Sequence, residues 1–247
     1  MPMLNGLWKL TWIETKVFLR EPMGVFGTIG IPVVLFIVLG RVLGAGSSNA
    51  ADGASVQVPI LAALMIAISA VLSLVAIISI YREGGILKRL RATPLTPVTI
   101  LSAQVIVKLG FTAISLVLLV LAGRQFFPGA ITPHLASFSA ALLLSTLSIL
   151  SLGFVIASLV PTARFAQPIG AGFMYPMLAV SGLFFPLEGM SPVLKGFALL
   201  LPTTHAVALL EATWRFGDWA GQWIHVAALL LAFGVCTAIS TKVFRWE

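Results

Sequence analysis

The chain has 247 residues, 59% of them hydrophobic and only 9% charged, with a mean hydropathy of +1.08. A soluble domain carries about a quarter charged residues, so this chain cannot cover a water-facing surface and the solvent for most of it is lipid. The net charge of +7 comes with no compact Lys/Arg-rich domain and no RNA-binding signature, which excludes nucleic acid as a partner, and the single cysteine, Cys236, excludes an intrachain disulfide or Cys-based metal cluster.

Residues 3–20 read as a helix lying on the membrane surface. Lys9, Lys16 and Arg20 share one stripe, Leu7, Leu10, Val17 and Phe18 form an apolar belly, and Trp8 and Trp12 flank it. Glu14 interrupts the apolar side. The first twenty residues mix charge with Trp and Leu and do not read as a cleavable signal peptide, so the first span is expected to direct insertion.

Six apolar segments follow, at about 24–43, 58–80, 98–122, 135–160, 168–187 and 223–244. Each is long enough to cross as a helix, and none shows the alternation of a membrane β-strand. Pro32 predicts a kink in the first. Lys108, near the start of the third, is expected to snorkel back toward the interface. Ser69 and Ser73 share a face of the second. Ser145, Ser148 and Ser151 share one of the fourth and read as packing positions that let helices approach.

Orientation follows from Lys and Arg. With the N-terminus inside, Lys9, Lys16, Arg20, Arg82, Lys88, Arg89, Arg91, Arg164, Lys242 and Arg245 are cytoplasmic. Arg41, Arg124, Lys195 and Arg215 are outside. Both termini are therefore expected in the cytoplasm. Between the fifth and sixth spans, residues 190–214 are apolar but broken by Pro192, Gly196 and Pro202. They read as two short helices that dip into the outer leaflet and return, with Thr203 or Thr204 capping the second.

No phosphate loop, HExxH or G-x-S-x-G occurs, and the span cores hold almost no acidic residue of the kind that binds coupling ions. The concentrated polar stretch is Tyr81 to Pro97, Y-R-E-G-G-I-L-K-R-L-R-A-T-P-L-T-P. Ile86, Leu87 and Leu90 form one side of a short helix at 82–93. Lys88, Arg89 and Arg91 point elsewhere, and the Thr-Pro pairs stop it. Such a helix, pinned between two spans, is a lever on which a cytoplasmic partner can push.

This stretch resembles the signature of type-2 ABC transporter permeases, in the drug-resistance and nodulation-factor exporter branch. There an E-x-G-x-L-K-x-L-x-x-T-P pattern follows the second span. Glu83, Gly85, Leu87, Lys88, Leu90, Thr93 and Pro94 match it in register. The run from Ser181 to Pro192, followed by L-P-T-T-H, resembles the family's outer segment.

The resemblance implies an all-α membrane protein forming one type-2 transmembrane domain over 1–247. Its parts are an N-terminal interfacial helix, six spans, a coupling helix after span two and a re-entrant outer segment. The resemblance also implies a bacterial plasma-membrane location and a second permease copy, identical or not. ATP and Mg would be bound by a separate cytoplasmic ATPase subunit, with no cofactor in this chain. Arg82, Glu83, Gly85, Leu87, Lys88, Arg89, Leu90, Arg91, Thr93 and Pro94 would meet that subunit. Ser69, Ser73, Phe173, Tyr175 and Met177 would line the path of a hydrophobic or amphipathic cargo, drug-like, lipid or glycolipid. The alternatives are an ATP-independent secondary transporter or channel, and a membrane enzyme or outer gate built on Glu188, His205 and Glu211.

Overall fold

The structure, a computed structural model, describes residues 2–44, 51–86, 97–126, 134–160, 162–217, 219 and 221–243. Among these residues every regular element is helical. In chain order they are α1 (Pro2–Leu19), α2 (Pro22–Val25), a π-helical turn (Phe26–Gly30), α3 (Ile31–Gly44), α4 (Ala51–Glu83), α5 (Pro97–Phe126) and α6 (Leu135–Leu159). α7 (Ala163–Ala179), α8 (Pro192–Ala198), α9 (Pro202–Arg215) and α10 (Trp223–Val243) complete the set. Among the described residues four stretches are long and apolar enough to cross a membrane: Ala63–Glu83, Ser102–Phe126, Leu135–Leu159 and Trp223–Ser240. The bent pair α8–α9 makes a fifth if it crosses as one.

α4 is the central post. Ile60, Leu64, Ile66, Ile68, Val71 and Leu74 are fully buried, and at 3.6 residues per turn they cover about half of the helix circumference. α3, α5, α6, α7 and α9 pack on it, while Met65, Ser69, Ser73 and Ile80 lie on the remaining, less buried face. Small residues let them approach. At Gly153 of α6, an added Cβ would lie 3.1 Å from Val71 and 3.2 Å from Leu74. Gly153→Val should therefore destabilise the bundle by about 1–3 kcal/mol, read as a lower thermal midpoint in detergent. At Gly172, an added Cβ meets nothing within 4 Å, so Gly172→Ala should leave the midpoint unchanged or raise it.

The serines of α6 behave as packing positions. Ser145, Ser148 and Ser151 are buried. Ser148 Oγ donates to the Leu229 carbonyl of α10 at 2.9 Å, and Ser151 Oγ donates to Ser148 O within its own helix.

The kink predicted at Pro32 takes the form of a π-helical turn immediately before it. Proline has no N–H to give the carbonyl four residues back, here that of Thr28. The ladder widens, Ile31 N–H bonds to Phe26 O, and Ser115 Oγ of α5 donates to Thr28 O at 3.3 Å.

Several boundaries differ from the sequence reading. α7 begins at Ala163 and ends at Ala179, whereas its apolar run continues to Leu187. It carries Pro168 and Pro176, and the chain beyond it turns through Gly182 at φ +93°, a conformation that favours glycine.

The outer segment is two helices bent by 79°. Neither threonine caps α9, whose first residue is Pro202 and whose cap position is Leu201. Thr203 Oγ instead donates to Met177 O of α7 at 3.1 Å, and Thr204 Oγ donates to Ala198 O at 2.7 Å. α9 is buried along most of its length, packed on α6 and α10, whereas α8 exposes Val193 and Phe197 and the turn after it exposes Leu200.

α1 also turns differently from the reading of its apolar belly. Leu7 and Leu10 pack on Ile100 and Ala103, and Phe18 packs on Val107 and Phe111. The belly therefore faces α5, and Trp8, Trp12, Ile13 and Leu19 form the exposed apolar side.

Candidate functional site

The elbow expected in the cytoplasm begins inside α4. Arg82 and Glu83 continue that helix and do not open a separate one. It ends at Gly84-Gly85, where Gly84 N–H bonds to Ile80 O at 2.8 Å and Gly85 N–H to Arg82 O at 3.1 Å. Gly85 has φ +68°, the left-handed geometry that closes helix C-termini and suits glycine best.

Both side chains before the turn reach the α6–α7 junction. The Arg82 guanidinium donates to Ala157 O at 3.4 Å and to Val160 O, placing a cation on carbonyls at the negative end of α6. The Glu83 carboxylate accepts from Ala163 N–H at 2.8 Å, satisfying a free donor at the positive end of α7. Leu87, Lys88, Arg89, Leu90, Arg91, Thr93 and Pro94 lie outside the described residues.

Above the elbow is a cavity of about 260 Å³ between α1, the π-turn, α4, α5 and α7. Met65 and Ile80 both line it, so it extends about 22 Å along α4 at 1.5 Å per residue. Of the expected path residues, Ser69, Ser73 and Tyr175 line it. Phe173 and Met177 do not. Phe173 is half exposed, and Met177 packs against the main core.

Two ionisable side chains that the sequence reading assigned elsewhere are buried here. Lys108 is 2% exposed and does not snorkel outward. Its Nζ donates to Ser73 Oγ at 2.5 Å and stands 4.2 Å from the centre of the Phe18 ring. It lies eleven residues into α5, about 16 Å from that helix's start. Glu14 is 4% exposed, and its Oε2 accepts from the Tyr81 hydroxyl at 2.8 Å.

The signals for both were in the sequence. Lys108 is a charge inside an apolar run, and Glu14 breaks the apolar side of α1. The cause of their burial was not visible there, because α1 folds onto α5 and encloses them.

Burial pushes the Glu14 carboxyl above its ordinary value of 4.5, against the pull of the Tyr81 hydroxyl. Above that value the folded state binds more protons than the unfolded chain, so stability falls as pH rises toward the folded pKa. The thermal midpoint should thus drop as pH rises above about 4.5. Glu14→Gln, which stays neutral, should remove most of that drop.

The residues expected at the outer face do not form one constellation. Among the described residues, Glu188 sits exposed in a short 3₁₀ turn and Glu211 pairs with Arg215 at 3.1 Å. His205 Nδ1 is 2.9 Å from His225 Nδ1, tying α9 to α10.

The protein-family comparison matches residues 5–213 to the family described as ABC-2 type transporter. The chain is 29% identical over 102 residues to Nodulation protein J of Neorhizobium galegae, covering 41% of this chain and 39% of that protein. It is 27% identical over 99 residues to Nodulation protein J of Rhizobium leguminosarum bv. viciae, covering 40% and 38%. The chain thus spans less than half the length of the curated relatives it matches. With the family match covering most of its residues, the chain belongs to the ABC-2 type transporter family.

Proposed function

We propose that this protein is the permease subunit of an ATP-driven exporter and moves a hydrophobic or amphipathic small molecule out of the cytoplasm. It crosses the bacterial plasma membrane six times with both termini inside. The α2–α3 unit is the first span and α7 the fifth, with the bent α8–α9 pair re-entering from outside. Two permease copies assemble with a separate cytoplasmic ATPase, which binds ATP and Mg and pushes on the elbow after α4.

The observation that carries this reading is the elbow itself. Arg82 and Glu83 clasp the α6–α7 junction. A push on the basic stretch that follows would reach α4, α6 and α7 together. Family membership supports a transport subunit whose ATPase is a different chain.

The test is affinity purification from native membranes. A nucleotide-hydrolysing subunit should come down with the chain, and the chain freed of it should hydrolyse no ATP. A chain that purifies alone, from membranes where transport is intact, would contradict the reading.

A second reading, a secondary transporter, draws on the buried Glu14 and Lys108, since ion-coupled carriers keep ionisable groups inside the membrane. It expects uptake or efflux driven by a proton gradient without ATP.

A further inference from the structure

We propose that Lys108 is the anchor for the anionic head of the transported molecule, which makes the cargo class an acidic amphiphile: one apolar chain bearing a carboxylate or phosphate. This rests on the exporter reading and names the chemistry of its cavity.

An ammonium has three donors. That of Lys108 spends one on Ser73 Oγ and lays itself against the Phe18 ring. Among the described residues no carboxylate comes within the 4.0 Å of an ion pair. A buried cation with spare donors, on which Glu14 and Glu21 act only from beyond ion-pair distance, gains most from an anion that arrives in direct contact, because both charge and hydrogen bonds are then met where water is scarce.

The other ionisable groups at the cavity are differently placed. Glu14 already accepts from Tyr81, and Glu21 is exposed. Tyr175 is a neutral hydroxyl on α7. Met65, Leu72, Ile77 and Val107 supply an apolar wall beside the ammonium, so a chain attached to the anion has a place to lie. A cationic amphiphile would meet the same wall but be repelled by the ammonium.

The experiment uses the full chain in neutral maltoside micelles and measures saturable binding of radiolabelled dodecanoate and dodecyl phosphate, with protein-free micelles subtracted. The wild type should bind both. Lys108→Met and Lys108→Gln should weaken each by about tenfold or more, the loss of one charge-assisted contact. Ser73→Ala should weaken them less. Dodecanol should bind wild type and variants alike, and dodecyltrimethylammonium should bind wild type no better than dodecanol does.

Acetate and inorganic phosphate separate a free anion from a chain-bearing one. Poor competition by both supports an amphiphile, and competition equal to that of dodecyl phosphate overturns it. Equal binding of dodecanoate by wild type and both folded Lys108 variants also overturns the proposal, as does tightest binding of the cationic probe. Folding of each variant is checked by its size-exclusion profile, and the Gln variant and Ser73→Ala carry the test if the Met variant fails to fold. Because no ATPase is present, a null here leaves the exporter reading standing, and a failure to co-purify an ATPase leaves this affinity unchanged.

Discussion

Glu83→Ala is expected to cut export by roughly tenfold, the size of a coupling energy of one to two kcal/mol, while the protein still inserts and assembles. The carboxylate holds the first turn of α7 through Ala163 N–H. Loss of such a cap costs about 1 kcal/mol, too little to unfold a membrane bundle but enough to loosen the junction through which a push on the elbow must travel. ATP hydrolysis by the assembled complex should persist, so the signature is hydrolysis without transport. Glu211→Ala is the contrast. It removes an exposed pair with Arg215 on one helix, worth a few tenths of a kcal/mol, and should leave export intact. Loss of activity at Glu211 would instead favour a reaction at the outer face.

Lys108→Glu should be the most damaging single change. It replaces a buried cation, held by Ser73 and the Phe18 ring, with a carboxylate in a cavity that Glu14 already lines. Uncompensated buried charge costs about 3–5 kcal/mol. Little folded protein should be recovered at neutral pH. Lys108→Met removes the charge and keeps most of the volume, so it should fold with a thermal midpoint equal to or above wild type. If Lys108→Glu folds as well as Lys108→Met, the cavity is wetter than its burial implies.

The class of this protein was legible in composition and run length, because only helices that satisfy their own backbone cross lipid. The turn at the end of α4 was legible in the Gly pair, and the break in α3 in Pro32. What escaped were facts about facing. Leu10 and Phe18 suit a lipid-facing belly and a helix-facing one equally well, since α5 and acyl chains are similarly apolar. Only the packed bundle decides between them. Once α1 lies on α5, Glu14 and Lys108 are buried against the cavity, and a charge that seemed free to snorkel is held there by Ser73. Residues Arg82 and Glu83 carried the opposite ambiguity. They read as partner contacts, and within the chain both side chains also reach the α6–α7 junction. The end of α7 at Ala179 was masked by the unbroken apolar run to Leu187, where hydropathy says nothing about Gly182 turning the chain.

The most direct measurement of ATP-driven export is transport in sealed proteoliposomes carrying the full chain with and without its co-purified ATPase. The account predicts that movement of the acidic amphiphile requires both the ATPase subunit and ATP and continues when the proton gradient is collapsed. Transport by this chain alone, driven by a proton gradient and indifferent to ATP, would contradict it.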